Sequence, residues 1–316
     1  MKYQDVIPCQ SENSIIATIA LKDKKISKTA LSAFQNLFDR IPAMVESLRI
    51  RYPEQEFEFA MGIGAVAWDK LFPNTKKPKE LKVFPGIEGT SSMAPSTPGD
   101  FFFHIRANRM TVCYDMLSSI QTLIGDYVSP VDETHGFRYR DGRAIIGFVD
   151  GTENPKDSEA WEAVLIDDDS DFNGGSYVFA QKYTFDKNAW DMLSDVAQEK
   201  IIGRRKWTDL ELSDKIKPMD AHTEISKAHN NKGQEMKIIR ANLVYSQPTQ
   251  NIYGSYFLGY SKNFSITNQM LEHMFQGTAN ASEDSLLNYL HAITGNLFFV
   301  PSYSQLAQMA SGEMDV

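Results

Sequence analysis

An aspartate, a histidine and an arginine stand out in this chain for where they sit. Asp150 follows a β-branched apolar run in "IIGFVDGTENP", Ile145 to Pro155. Asp-Gly is a turn signal, and the polar Thr-Glu-Asn-Pro continues it. Asp150 is therefore either a turn former or a carboxylate held at a strand end to exchange protons. His222 sits in "KPMDAHTEIS", a polar stretch without strong periodicity, and Arg240 lies inside the apolar run "MKIIRANLVY". A guanidinium among Ile-Ile and Leu-Val is costly to bury unless it meets an anion or a ligand.

Motifs of the commoner enzyme classes are missing. The chain has six histidines but no HExxH, and no GxSxG or P-loop. "MGIGAVAW" contains GxG but neither a third glycine nor the downstream acid of a dinucleotide site. The net charge of −9 disfavours a phosphate backbone as partner, and the basic runs "KDKKISK" and "TKKPKELK" are short. Two cysteines, Cys9 and Cys113, show no CxxC spacing, which fits a reducing cytosol. The start "MKYQDVIPCQ" has no apolar signal region, and no run of about 18 apolar residues exists to span a membrane. A cytoplasmic protein is the expectation.

Positioning elements come from periodicity. "NSIIATIALK" reads as a strand, and the segment from Ser27 to Tyr52 has apolar residues at helical spacing behind a capping serine. "EFEFAMGIGAVAW" (Glu56 to Trp68) reads as a strand, residues 70–99 as a long surface loop, "DFFFHIRAN" as a strand and "MTVCYDMLSSIQTLIGDYV" as a helix. The second half repeats the order. "GSYVFAQKYTF" is a strand, "KNAWDMLSDVAQEKIIG" one helix ending at Gly203, "QEMKIIRAN" and "GSYFLGYSK" strands, and "TNQMLEHMF" and "SEDSLLNYLHAIT" helices. "FHIRANRM" even echoes in "KIIRANLV". The reading is α+β: a duplicated ferredoxin-like fold, two antiparallel sheets packed together with peripheral helices. Residues 1–145 form an N-terminal half, 146–174 a connecting segment with the GFVDGT loop, and 175–316 a C-terminal half.

With these surroundings, "GFVDGTEN" resembles the signature of the dye-decolourising peroxidases, haem enzymes with a duplicated ferredoxin-like fold. "TPGDFFFHIRA", "IIGRRK", "DAHTEIS", "KIIRANLVYS", "GSYFLGYSK" and "LLNYLHAITGNLFFVPS" resemble further family blocks, in family order, from about residue 97 onward. The resemblance implies one haem b per chain with His222 as the axial ligand of its iron. Asp150 and Arg240 would stand over the distal face, Asn242 would share their pocket, and Phe257 would be a distal wall. Gly151 and Glu153 come with the signature on the cofactor side. Asp284 matches the acid that hydrogen-bonds the proximal histidine, and Arg204 would meet a propionate.

These roles are physically coherent. Haem iron needs one protein ligand and one open position, and a carboxylate on the second nitrogen makes the imidazole a stronger donor. Asp150 would shuttle a proton between peroxide oxygens, and Arg240 would stabilise charge as the O–O bond breaks and hold Asp150 ionised. The implied activity is reduction of hydrogen peroxide and oxidation of phenolic or dye-like donors through a ferryl state, with an optimum below neutral pH. Self-assembly into a homo-oligomer is common in the family. "LAQMASGEMDV" follows soon after "FFVPSYS", so no long tail is expected.

Plainer readings stand beside these. Asp150 would be a turn residue, His222 a surface or core histidine, Arg240 an ion-pair member and Asp284 a helix N-terminal charge. Four tryptophans and 13 tyrosines would relay electrons or simply pack. Among functions, a haem carrier or an enzyme releasing iron from haem competes, as does a ferredoxin-like protein binding another small ligand.

Overall fold

The computed structural model describes residues 3–7 and 11–313; Cys9 and the last three residues lie outside them. In the N-terminal half, strands β1 (Asn13–Leu21), β2 (Glu58–Gly64), β3 (Phe101–Ala107) and β4 (Val128–Phe137) lie in the order β4-β1-β3-β2. In the C-terminal half, β5 (Ser176–Phe185), β6 (Ile239–Gln247), β7 (Ile252–Ser261) and β8 (Asn296–Val300) lie in the order β8-β5-β7-β6. The two orders are the same permutation, so each half is a ferredoxin-like unit. Every pairing is antiparallel. The sheets also join at their edges. Gly64 and Ile63 pair with Phe298 and Phe299, and Phe137 pairs with Val244, so the eight strands close into a ring.

Strand parity sorts the core. Ile16, Ala60, Phe102, Val178, Ala180, Leu258 and Phe298 meet between the sheets. Their neighbours Ile15, Ala17, Phe59, Phe101 and Phe103 face the other way, against helix α1 (Lys28–Arg51). Phe34, Leu37, Phe38, Ile41, Val45 and Leu48 form the apolar stripe of α1, and the Ser27 hydroxyl accepts from the Ala30 amide at 3.1 Å as its cap. Helix α2 (Met110–Ile124) lies on the same face. His104 is a satisfied core histidine between the sheets, its Nδ1 2.9 Å from the Tyr260 hydroxyl.

Several elements differ from the sequence reading, and tertiary partners explain each. The strand read through Trp68 stops at Gly64, because a Cβ there would sit 2.4 Å from the Gly99 carbonyl oxygen; Ala65–Leu71 is helical and buries Trp68. Residues 70–99 are not only a surface loop. Leu81, Phe84, Ile87 and Ala94 are buried, and Phe84 meets Phe179 edge to face with centroids 4.8 Å apart. The helix ending at Gly203 is two pieces, Lys187–Asp191 and α3 (Asp195–Ile202), because Ser194 caps the second through the Ala197 amide. Gly203 is the left-handed C-cap as read, with φ of 91°.

"SEDSLLNYLHAIT" is not a helix. It makes a short 3₁₀ turn, Ser285–Asn288, then a strand at Leu290–Ala292 that pairs with β5. Strands β4 and β8 and helix α5 (Tyr303–Ser311) complete the halves; helix α4 is Phe264–Gln276, longer than read.

Candidate active site

A cavity that opens to solvent lies between the loop around Asp150 and the strands and helices of the C-terminal half. Its wall includes Asp150, Gly151, Glu153, Arg204, His222, Arg240, Asn242 and Phe257. Residues scattered over a hundred positions thus reach one space. Asp284 does not line it but stands behind His222. Most of the remaining wall is apolar, with Ile146, Phe148, Met270, Leu271, Met274 and Leu290.

The carboxylate side is built by a loop docked on a strand. Asp150 ends a short bridge between Arg143 and Val149, and Gly151 takes the left-handed conformation, φ 72°, that turns the chain. Asp150 Oδ1 accepts from its neighbour Gly151 N–H at 2.9 Å and from Asn242 Nδ2 at 2.6 Å. Among the described residues, Oδ2 has no hydrogen-bond partner. Asp150 leads into the turn and also presents a carboxylate at the cavity wall.

Asn242 and Arg240 are two apart on β6, hence on one face, and Phe257 lies opposite Asn242 on β7. The side chain of Asn154 holds the backbone of Arg240 twice. Oδ1 accepts from Arg240 N–H and Nδ2 donates to Arg240 C=O, each at 2.8 Å. Glu153 accepts from Arg204 Nη1 at 2.7 Å, and Thr152 Oγ1 donates to Asp209 Oδ2 at 2.8 Å. Arg204 also donates from Nε to Asp209 Oδ1 at 2.9 Å and from Nη2 to the Asp209 carbonyl at 2.6 Å. Three of the five guanidinium N–H groups are therefore spent on protein, leaving two for a ligand.

Electrostatics differ from the sequence expectation in one respect. Arg240 does pull the Asp150 pKa down, as do the bonds from Asn242 and Gly151, but burial outweighs them and raises it above the ordinary carboxylate value. The cavity reaches the carboxylate, so the residue is only half-buried. Burial likewise lowers the Arg240 pKa, opposed by Glu153 and Asp150. Among the described residues the Arg240 guanidinium donates no hydrogen bond to protein, so its five N–H groups are unclaimed within the fold.

The imidazole side is latched more tightly. His222 opens a short helix, His222–Ile225. Its Nδ1 is 2.6 Å from Asp284 Oδ2, while Asp284 Oδ1 accepts from Leu286 N–H at 2.9 Å. Ser285 binds the Asp220 carbonyl with its amide at 3.1 Å and its hydroxyl at 3.0 Å. Glu283 is in turn gripped by Ser91 N–H at 2.9 Å, Ser91 Oγ at 2.6 Å, Ser92 Oγ at 3.0 Å and the Thr90 amide. The long loop of the N-terminal half thereby braces the acid behind the histidine. Nε2 of His222 has no hydrogen-bond partner among the described residues. An imidazole fixed at Nδ1 and free at Nε2, on the wall of an apolar cavity, has a nitrogen lone pair available to a ligand.

Sequence reasoning missed Asn154, Ser285 and Asp209. Asn154 was legible only as turn polarity; Ser285 and Asp209 carried no signal beyond being polar.

Comparison with known proteins identifies the family. The family models of the Dyp-type peroxidase N-terminal and C-terminal domains match residues 4–138 and 141–305. A "Dye-decolorizing peroxidase" of Mycobacterium tuberculosis is 40% identical over 289 residues, covering 91% of this chain and 84% of the relative. The crystal structure of a dye-decolorizing peroxidase from Bacteroides thetaiotaomicron superposes with a TM-score of 0.93 at 46% identity, covering 98% of each chain. DypB from Rhodococcus jostii, of which a variant was solved in complex with haem, superposes with a TM-score of 0.92 at 37% identity, covering 96% of this chain and 97% of that one. With both domain models matched across nearly its whole length, the chain belongs to the Dyp-type peroxidase family.

Proposed function

We propose that this chain is a haem peroxidase that reduces hydrogen peroxide and oxidises phenolic or dye-like donors, with one haem b per chain. One observation carries the reading. A single apolar cavity presents an imidazole free at Nε2 together with a carboxylate free at Oδ2 and an unclaimed guanidinium.

The residues present fit the group. The wall is mainly aliphatic and aromatic, as a flat macrocycle requires. Nε2 of His222 is the ligand for its iron, and Arg204, with two N–H groups to spare, is placed for an acidic substituent. Haem, when bound, supplies an iron that passes oxidising equivalents from peroxide to organic donors.

The chain's own residues do the rest. Asp284 keeps the Nδ1 proton of His222 in place, which leaves the Nε2 lone pair outward and raises its donor strength. Asp150 takes a proton from peroxide at Oδ2 and returns it to the departing oxygen, while Asn242 and the Gly151 amide hold Oδ1 still. Arg240 supplies fixed positive charge against the negative charge that grows as the O–O bond breaks. Phe257 and the other apolar residues of the wall lower the local dielectric, which strengthens both effects.

Transfer of haem or release of its iron would use His222 but has no need of Asp150 with Arg240, so peroxidase is the favoured reading. An absorption spectrum of the purified protein before and after peroxide, followed by dye bleaching, tests it. No haem band after growth with haem supplied, or haem without peroxide-dependent bleaching, would overturn it.

We further propose a cytoplasmic homo-oligomer, with residues 146–174 as a connector carrying the Asp150 loop between halves 1–145 and 175–316. Among the described residues Cys113 is a free, buried thiol and no helix is long and apolar enough to cross a membrane. Met192, Val196, Trp207 and Leu210 are exposed apolar side chains suited to an interface. Light scattering of the pure protein checks the assembly; a monomer at micromolar concentration would refute it.

A further inference from the structure

The loop that carries Asp150 and the strand that carries Arg240 are joined by something other than sheet pairing. On one side β6 pairs with β7 along its whole length, Ile239 to Gln247. On the other side it meets β4 only at Val244, opposite Phe137. Backbone groups of alternate residues point to the same side of a strand, so Arg240 and Val244 both address this second edge. At Arg240 no strand is present, and the carboxamide of Asn154 stands in for one. Oδ1 takes the N–H and Nδ2 takes the C=O, both at 2.8 Å, as a neighbouring strand residue would.

Two residues along the same strand, Asn242 reaches back to Asp150. The loop is thus held at its first residue through a side chain of β6 and at its fifth through the backbone of β6. Asn154 itself does not line the cavity.

We propose that Asn154 is a positioning residue that sets where the Asp150 carboxylate stands relative to the Arg240 guanidinium, by acting as a one-residue strand on the open edge of β6. The inference rests on the roles given above to Asp150 and Arg240. Its chemistry is restrictive. Aspartate lacks the donor, alanine lacks both groups, and glutamine carries both one methylene farther out. Catalytic groups misplaced by about 1 Å lose on the order of a hundredfold in rate.

The test uses the full chain in two forms. In the haem-free protein, hydrogen exchange at the Arg240 amide should quicken at least about tenfold in Asn154→Ala, because its only acceptor is gone. In the haem-loaded protein, the same variant should react with hydrogen peroxide at least about tenfold more slowly. The acid limb of its pH–rate profile should also move, while haem retention, which depends on the distant His222, stays as in the parent. Asn154→Gln, which keeps both hydrogen-bonding groups, guards against a variant that fails to fold and should fall between the two. Unchanged exchange at Arg240 would mean that the clamp does not exist. Faster exchange with an unchanged peroxide rate and pH profile would make Asn154 structural only, and either result overturns the proposal. Failure of the peroxidase reading itself would show separately, as a parent protein without a haem band or without peroxide-dependent dye bleaching, and failure of the Asp150 role as an unchanged peroxide rate in Asp150→Asn.

Discussion

The fully buried carboxylate of Asp284 meets Nδ1 of His222 at 2.6 Å, and this contact fixes which ring nitrogen is free. A buried acid bonded to an imidazole that opens on a cavity defines both the orientation and the basicity of a metal ligand.

Removal of the proposed ligand should remove the cofactor. His222→Ala is expected to lose haem or hold it severely weakened, measured as haem absorbance per protein after gel filtration. Asp284→Asn keeps the shape but not the charge, and haem affinity should fall about tenfold or more. A parent-like spectrum and retention in His222→Ala would exclude this residue as the ligand.

On the other wall, Asp150→Asn and Arg240→Leu should each slow the reaction with peroxide at least about tenfold, the lower end for a lost proton-transfer or charge-stabilising group. Stopped-flow absorbance measures it directly. Both variants should still bind haem, since neither touches His222.

The pH dependence follows from the burial of Asp150. A general base must be ionised, and burial raises this carboxyl above its ordinary value. The rate of the peroxide reaction should therefore fall as pH drops through the raised pKa, with its acid limb above the usual carboxylate range. That limb should vanish in Asp150→Asn. A limb at the value of a free aspartate would show that burial does not control the site.

The same shift carries a stability consequence. An acid whose folded pKa is raised binds its proton more readily folded than unfolded, so ionising it costs stability as pH rises through that value. At neutral pH, haem-free Asp150→Asn should melt higher than the parent, and below the ordinary carboxylate range the two should converge. Calorimetry at two pH values decides it; a lower Tm for the variant at neutral pH would contradict the account.

Bracing of the proximal acid gives one more test. Glu283 accepts four hydrogen bonds from residues 90–92, next in sequence to Asp284. Glu283→Ala should free the long loop and loosen haem, seen as faster haem transfer to an excess of apomyoglobin. An unchanged transfer rate would confine Glu283 to the loop.

Alternating and helical periodicities in the sequence were enough to place six of the eight main strands and the longest helices, because those patterns are local. They also yielded two halves of the same order. Asp150, His222 and Arg240 were conspicuous because each breaks its surroundings, and the ordered blocks around them pointed to the family. What the sequence left open lies in contacts between distant residues. The helical pattern of 282–294 lost to bonds that Asp284 and Ser285 make to His222 and Asp220 and to pairing with β5. Asn154 looked like turn polarity until the empty edge of β6, 86 residues away, supplied its partner. The upward direction of the Asp150 pKa comes first from burial, a quantity that no stretch of text contains. Composition and spacing determine which groups are available; only the closed ring of strands determines which of them share a cavity, because burial and hydrogen-bond geometry belong to the assembled chain.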